Sequence, residues 1–349
     1  MKKPKISIVI IHYNTPQYLK TCLDSIFAQS YPNIEVIFID NNSPNLTGLE
    51  LVEKEYGHHK NLQIVANAEN SGYSGAANQG IKMAIEGKDK ADYVVITNPD
   101  IIYTPSYFEK IIARIEKDPK IAAITGKVYK YDFEKKHPTK IIDTVGLFAY
   151  KNRRIIDDGQ GILDIGQFSE EKEIFGISGA CPLYRREALE DVKIGDEYLD
   201  NDFFMYKEDV DISWRFLLFG WKCLYYPKAT AFHGRGTGIY ERFSTGSLLK
   251  NRNKLNRFQK KYSFRNQLLM EMKNEMPETF WKDFGPIMAK KILTFFYITL
   301  REPYLWGSYI QYLKLLPKIL RKRKEIMAKK RLSAKEMSKW FREQSDYVG

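Results

Sequence analysis

Apolar residues come in short runs along the first half of the chain, separated by stretches with helical spacing. Ile6–Ile11 is almost unbroken Ile and Val, the pattern of a strand buried on both faces. Glu35–Asp40, Leu62–Ala66 and Tyr93–Thr97 read as a second, third and fourth strand. Tyr18–Gln29 sets Leu19, Leu23, Ile26 and Phe27 on one helical face, and further helices are predicted near Thr47–Tyr56, Ser74–Ile85 and Ser106–Glu116. Strands alternating with helices imply a parallel sheet joined by right-handed crossovers. Such sheets bind ligands beyond the carboxyl ends of their strands. Tyr13-Asn14, Asp40-Asn41-Asn42, Asn67 to Gly75 and Asn98-Pro99-Asp100 all fall at such ends.

The pattern is less regular from Val128 to Phe175, where short strands and a flexible loop are expected. Ile174–Tyr184 resumes a strand-like pattern, Glu208–Phe219 reads as a helix and Trp221–Tyr225 as a short strand. After Gly238 the pattern changes to basic helices. Charge marks the same boundary: from Glu241 onward 25 Lys/Arg face 10 Asp/Glu, whereas the first 240 residues carry 30 against 33. The net charge of +12 thus belongs to the last third, and the chain divides into 1–240 and 241–349.

No run reaches the length needed to span a bilayer. Phe295, Phe296, Tyr297, Tyr304, Trp306, Tyr309 and Tyr312 nevertheless crowd one region beside Lys318 and Arg321-Lys322-Arg323-Lys324. Aromatics next to a polybasic cluster suit a helix lying in the headgroup layer of a membrane. A solvated basic face packed on the first domain, or a homodimer contact, are the other readings. Three scattered cysteines, Cys22, Cys181 and Cys223, argue against a disulfide framework and for a reducing cytoplasm. The Lys-bearing start reads as the approach to a first strand, not as a signal peptide.

Three short stretches carry the candidate chemistry. Asp100 ends a strand, where a hard cation would find an oxygen ligand; Asn-Pro-Asp is also ordinary turn chemistry. Glu208 and Asp209 open a helix, where carboxylates are stabilised by the dipole and where one of them can act as a general base. Asp211 is a third candidate, but two residues along a helix it points elsewhere. His233 lies in a Gly-rich loop with Arg235, suited to a metal or a phosphate. Asn70-Ser71-Gly72-Tyr73-Ser74-Gly75 precedes a helix, so its N–H groups are candidates to face a diphosphate.

Ile6 to Asn14, Val36 to Ser43, Asn70-Ser71-Gly72, Asn78-Gln79-Gly80, Asn98-Pro99-Asp100, and Glu208-Asp209 before Trp214-Arg215 together resemble the family 2 inverting glycosyltransferases. Within that family the chain is most similar to bacterial rhamnosyltransferases of polysaccharide assembly, over about residues 5–240. The resemblance implies a nucleotide-diphospho-sugar transferase fold of GT-A type, α/β with a mixed, mostly parallel sheet. It implies that Tyr13 and Asn14 border the donor base and ribose and that Asp40 holds the pyrimidine ring. Asn70, Ser71, Gly72, Asn78 and Asn98 would line the nucleotide and diphosphate, with Arg235 aiding on the diphosphate. Asp100 and His233 would hold a divalent cation, Mg²⁺ or Mn²⁺. Asp209 would be the base with Glu208 beside it, and Gly179, Ala180 and Trp214 would border sugar and acceptor. One departure stands out: the family's Asp-x-Asp is here Asn98-Pro99-Asp100, which carries one less negative charge.

The expected reaction is a single inverting displacement from a nucleotide sugar, dTDP-rhamnose by resemblance with a UDP-sugar as the alternative since Asp40 can bind either ring, to a saccharide or polyprenol-linked acceptor. Phe175, Ile177 and Trp214 are the expected apolar walls for the 6-methyl group. The expected place is the cytoplasmic face of the cell membrane. A nucleic-acid-binding role fits poorly, because the basic third has no zinc-finger or RNA-binding signature.

Overall fold

The structure, a computed structural model, describes residues 3–87, 89–234 and 252–347. Its first four strands are β1 (Ile6–His12), β2 (Ile34–Asp40), β3 (Leu62–Ala66) and β4 (Tyr93–Thr97), separated by helices α1 (Pro16–Phe27), α2 (Thr47–Tyr56) and α3 (Gly72–Glu86). All four are parallel, with β1 between β2 and β4 and β3 outside β2. Alternate residues feed two cores. Ile6, Ile8 and Ile10 of β1 pack on one face with Leu19 of α1 and Val52 of α2; Val9 and Ile11 pack on the other with Ile81 of α3.

The rest of the sheet is mixed. β5 (Ile101–Tyr103), helix α4 (Tyr107–Ile115), β6 (Ile121–Asp132) and β7 (His137–Thr144) come first, then β8 (Leu147–Tyr150), β9 (Ile155–Asp157) and β10 (Lys172–Ile174). The less regular segment from Val128 to Phe175 thus holds the expected short strands, β7 to β10. β11 (Leu183–Arg185) runs antiparallel between β4 and β6, followed by α5 (Arg186–Val192) and α6 (Glu208–Leu218). The expected strand over Ile174–Tyr184 is broken by the loop that carries Gly179 and Ala180.

The last strand of the sheet, β12 (Lys222–His233), is much longer than the expected Trp221–Tyr225. It runs parallel to β6 with a register shift between Tyr225 and Thr230, around Pro227. Proline has no N–H for a ladder, which hides the continuation from a pattern reading. His233 is thus the end of a strand rather than part of a loop.

The basic third forms helices α7 (Arg257–Asn274), α8 (Pro277–Lys282), α9 (Phe284–Arg301), α10 (Trp306–Lys329) and α11 (Ala334–Ser338). A final short strand, β13 (Phe341–Arg342), adds in parallel to β8. α7 opens with a reciprocal cap in which Asn256 and Gln259 each accept the other's N–H at 2.9 Å. Leu269, Met270, Ile319 and Ile326 join the same core as α3 and α6, so the helices share the interior of the first 240 residues.

Much of the positive charge is spent inside the molecule. Lys322 pairs with Glu197, Asp200 and Asp202, and Lys273 with Asp200 and Asp211. Arg323 donates to the carbonyls of Met272 and Glu275. The polybasic run is therefore only partly a solvent face. Among the described residues no helix is long and apolar enough to cross a membrane.

Candidate active site

At the end of β1 the His12 ring lies 2.8 Å from Asp40 at the end of β2. Its other nitrogen accepts the Thr15 N–H at 3.1 Å, so the Asp40-facing nitrogen carries the proton. Burial pulls the imidazole pKa down despite Asp40, which keeps the ring neutral. Ser43 completes the corner, donating its hydroxyl and its N–H to the two Asp40 oxygens at 2.6 and 3.0 Å. The Ser43 hydroxyl in turn accepts the N–H of Asn14, which holds a left-handed φ of 52°. Tyr13 stands beside it, 49% exposed. Asp40 itself is only 2% exposed, with both oxygens engaged by its neighbours. His12 was not singled out by sequence; its place at the end of an apolar run was the available signal.

The Asn70–Gly75 loop turns inward. Asn41 bridges it, donating to Asn70 and to the Gly72 carbonyl at 3.1 Å each. The N–H groups of Ser71, Gly72 and Ser74 go to Asn41, Asn70 and the Phe204 carbonyl. The expected diphosphate-facing N–H groups are thus committed within the protein. Gly72 is required here: its φ is +74°, and a Cβ would sit 2.5 Å from Phe204. Asn78 also differs from expectation. Its amide is used up on the Tyr198 and Leu199 N–H groups, the Leu199 carbonyl and Asn201, so it ties α3 to that segment and does not line a cleft.

Asp100 and His233 meet because β5 pairs antiparallel with β12, setting His233 opposite Ile101. The Gly234 N–H donates to the Asp100 carbonyl at 2.9 Å. A Cβ at Gly234 would lie 2.4 Å from Phe133, so only glycine permits this close return. The His233 ring lies 3.3 Å from Asp100 on one side and 2.9 Å from Asp143 on the other. Burial lowers its pKa, but the two carboxylates outweigh that and hold it up at about 9. Burial raises Asp100, and His233 brings it below the usual carboxylate range. Asp143 was not anticipated; it sits on β7, in the segment that looked irregular. One imidazole nitrogen beside one carboxylate fits a divalent cation only if phosphate oxygens complete its shell. Among the described residues no group of three or more His, Cys, Asp or Glu is arranged for a metal.

The acidic helix start is presented by unusual backbone. Phe204, Tyr206 and Lys207 all have φ between 64° and 73°, a region costly for non-glycine residues. Asn266 of α7 holds the turn, its amide nitrogen lying 2.8–2.9 Å from the carbonyls of Phe203, Met205 and Tyr206. Asp209 then accepts the N–H of Gly179 and of Val210, each at 2.8 Å. Glu208 is buried, with one oxygen that finds no hydrogen-bond partner. Burial and the adjacent Asp209 push its pKa up to about 8. Burial raises Asp209 as well, but the Gly179 N–H opposes it. Asp209 is therefore the better-stabilised anion and Glu208 the better-held acid.

Tyr73, also missed by sequence, donates to the Gly179 carbonyl at 3.1 Å. Burial raises its pKa most, and the charges of Glu208, Asp209 and Asp100 raise it further, so the helix start and the Asp100–His233 pair both act on one hydroxyl. The same loop reaches β4: the Ala180 carbonyl accepts the N–H of Asn98 at 3.3 Å.

A model of Glycosyl transferase family 2 matches residues 7–193, which include β1 to β4 and the Asp100 turn. The chain belongs to glycosyl transferase family 2. Poly-beta-1,6-N-acetyl-D-glucosamine synthase of Staphylococcus epidermidis is 26% identical over 228 residues, 64% of this chain and 48% of the relative. The chain thus spans about half the length of the curated relatives it matches. Two solved structures share the fold. A mannosyltransferase from Pyrobaculum calidifontis, in complex with GDP-Man and Mn²⁺, aligns with TM-score 0.52 at 16% identity over 91% of this chain and 76% of its own. S. aureus TarS 1-349 aligns with TM-score 0.50 at 16% identity over 93% of this chain and 88% of its own.

In this family 2 chain several expected site residues serve the core instead. Trp214 is fully buried and packs edge-on against Phe175 and Phe341. Phe175 and Ile177 are buried too, so none of the three forms a pocket wall for a sugar methyl group. The Ala180 side chain is likewise enclosed, and Gly179 contributes through its backbone. Asp211 points away from Asp209 into a buried network with Arg215, Lys273 and Asn274. Arg235 lies outside the described residues.

Proposed function

We propose that this chain is an inverting glycosyltransferase that moves a sugar from a pyrimidine nucleoside diphosphate to an acceptor hydroxyl in bacterial surface-polysaccharide synthesis. The observation that carries the reading is the pairing of two unlike carboxylates. Asp209 accepts the Gly179 N–H, which favours its anion against the burial that raises its pKa, while the carboxyl of Glu208 beside it is pushed up to about 8. Asp209 accepts the proton of the acceptor hydroxyl. That oxygen attacks the anomeric carbon from the face opposite the leaving nucleoside diphosphate, so one displacement inverts the centre. Asp100 and His233 are the residues that would hold a divalent cation, Mg²⁺ or Mn²⁺, which supplies positive charge to a leaving diphosphate. Tyr13, Asn14 and the corner built on Asp40 form the nucleoside end of the cleft.

The donor sugar is read as rhamnose on thymidine diphosphate, supported by the likeness carried in Asn98-Pro99-Asp100. A second reading, N-acetylglucosamine on uridine diphosphate, is favoured by the name of the staphylococcal relatives. Their competition in a transfer assay decides between them. Anomeric analysis of the product tests the mechanism: retention of configuration overturns it, as does transfer that survives Asp209→Asn.

The acceptor is read as saccharide or polyprenol-linked, reached from the membrane surface. Supporting this, α9 and α10 expose Leu293, Phe296, Leu300 and Ile310, each more than half accessible.

A further inference from the structure

Gly179 is held from both sides. Its N–H donates to Asp209 at 2.8 Å, and its carbonyl accepts the Tyr73 hydroxyl at 3.1 Å. Those two groups belong to the peptide planes on either side of one glycine, so the two bonds together fix the soft torsions between the planes. Among the described residues no other donor reaches that carbonyl. The next carbonyl, that of Ala180, accepts the Asn98 N–H at 3.3 Å. Asp209 packs directly on the glycine, since a Cβ there would lie 3.4 Å from the Asp209 Cβ.

Tyr73 is itself well anchored. It sits in the first turn of α3, where the Ser74 N–H donates to the Phe204 carbonyl at 3.1 Å and Gly72 is pressed against the Phe204 ring. Phe204 opens the left-handed turn that leads to Glu208 and Asp209. The contacts therefore close a circuit: from Asp209 back through the turn to Phe204, across to α3, out along Tyr73 to Gly179, and again to Asp209. Burial and the charges of Glu208, Asp209 and Asp100 hold the Tyr73 phenol far above its ordinary pKa, so it stays a donor throughout the working range.

We propose that Tyr73 is a positioning residue for the base: by fixing the Gly179 carbonyl it keeps the Gly179 N–H on Asp209, and so makes Asp209 rather than Glu208 the proton acceptor. The proposal rests on the glycosyl-transfer reading and deepens it. The surroundings of Asp209 show why one N–H matters. Burial opposes its ionisation most, and Asp157 of β9 adds to that. The Gly179 N–H is the largest influence the other way, ahead of the Lys207 charge and the Val210 N–H. Glu208 stands beside it, and Tyr184 of β11 faces it as a buried neutral phenol. The Val210 bond is local to the helix start, whereas the Gly179 bond depends on a loop whose glycine is free to turn unless its carbonyl is held. The Tyr73 ring packs on the main core, so only its hydroxyl is assigned this role.

The test compares the full chain with Tyr73→Phe, Asp209→Asn and the double variant. The Asp209 carboxyl is titrated by carbon NMR of carboxyl-labelled aspartate, its resonance identified by its loss in Asp209→Asn. In Tyr73→Phe this titration is expected to move up by about one pH unit, the scale of one weakened hydrogen bond. Turnover of dTDP-rhamnose or UDP-N-acetylglucosamine is expected to fall at least tenfold with donor KM within twofold, and the acid limb of its pH profile should move up with the titration. In the Asp209→Asn background, Tyr73→Phe should cost no further turnover, because both act through one carboxylate. An unmoved titration overturns the proposal, as do losses that multiply in the double variant. A lower thermal midpoint with titration and turnover unchanged assigns the hydroxyl to stability alone. The transfer reading fails separately. If the unmodified chain turns over neither donor, or Asp209→Asn turns over normally, that reading falls, while the NMR titration decides by itself whether Tyr73 governs Asp209.

Discussion

Lys273, in the C-terminal third, holds its ammonium 2.9 Å from the carboxylate of Asp211, two residues beyond Asp209 on α6. Both side chains are fully buried, and Asp200, Arg215 and Asn274 share the network. Removing one partner strands a buried charge, which costs about 3–5 kcal/mol. Lys273→Met is therefore expected to lower the denaturant midpoint sharply with an unchanged slope. Deleting residues 241–349 is expected to yield an insoluble or unfolded product and no smaller stable enzyme. A cooperative, soluble 1–240 fragment would contradict this.

Asp209→Asn keeps the shape of the side chain and loses the base. Turnover should fall by roughly 10²–10⁴-fold with donor affinity nearly unchanged. Asp211→Asn acts differently, because Asp211 is sealed in the charge network: it should lower stability while leaving the turnover of the folded fraction within a few-fold of the parent. Near-normal turnover in Asp209→Asn reassigns the base.

Glu208 makes stability depend on pH. Its carboxyl titrates at an ordinary 4.5 when unfolded and near 8 when folded, so between those values the folded state binds more protons. Stability then falls as pH rises through that window and levels off above it. Glu208→Gln should flatten this slope. At pH 8 the variant is expected to be the more stable by on the order of 2 kcal/mol, a figure kept below the full shift because Asp209 shares the site. At pH 4.5 the two should converge. A slope unaffected by the substitution removes Glu208 as its source.

His233 must lose a proton before it can bind a metal, and the flanking Asp100 and Asp143 hold that proton to about pH 9. Mn²⁺ affinity, read by electron paramagnetic resonance, should fall about tenfold for each pH unit lowered from 9 to 7. Asp143→Asn removes one of the two carboxylates and should shift that dependence to lower pH. Chelator is expected to suppress transfer and Mn²⁺ to restore it.

Asn266 acts at a distance from the chemistry by bonding three carbonyls of the turn that presents Glu208. Asn266→Leu withdraws the amide from all three, and while the Phe203 carbonyl keeps the Met205 N–H and Arg265, any carbonyl left buried without another donor costs about 1–3 kcal/mol. Turnover should drop more than tenfold while donor KM changes little. The Glu208-dependent pH slope should also shrink, which a purely global loss of stability would not produce.

The periodicity of apolar residues determined a great deal by itself. Four parallel strands and the helices between them follow from runs such as Ile6–Ile11, because a strand buried on both faces leaves no other pattern. Their carboxyl ends, and with them Tyr13, Asn14, Asp40 and Asp100, were legible for the same reason. Side-chain direction was not legible beyond the local period. Asn78 and Trp214 lie on helices whose buried faces a pattern can indicate, yet only packing decided that one would clamp backbone and the other fill the core. Nor does the chain's linear order announce that Asp143, Asp100 and His233 meet, since this takes a strand continuing past Pro227 and pairing with β5. The positive charge of the last third was plain from composition. That Lys273 and Lys322 turn it inward onto Asp200 and Asp211 was decided in three dimensions, because burying an ammonium is tolerable only where folding brings carboxylates to it.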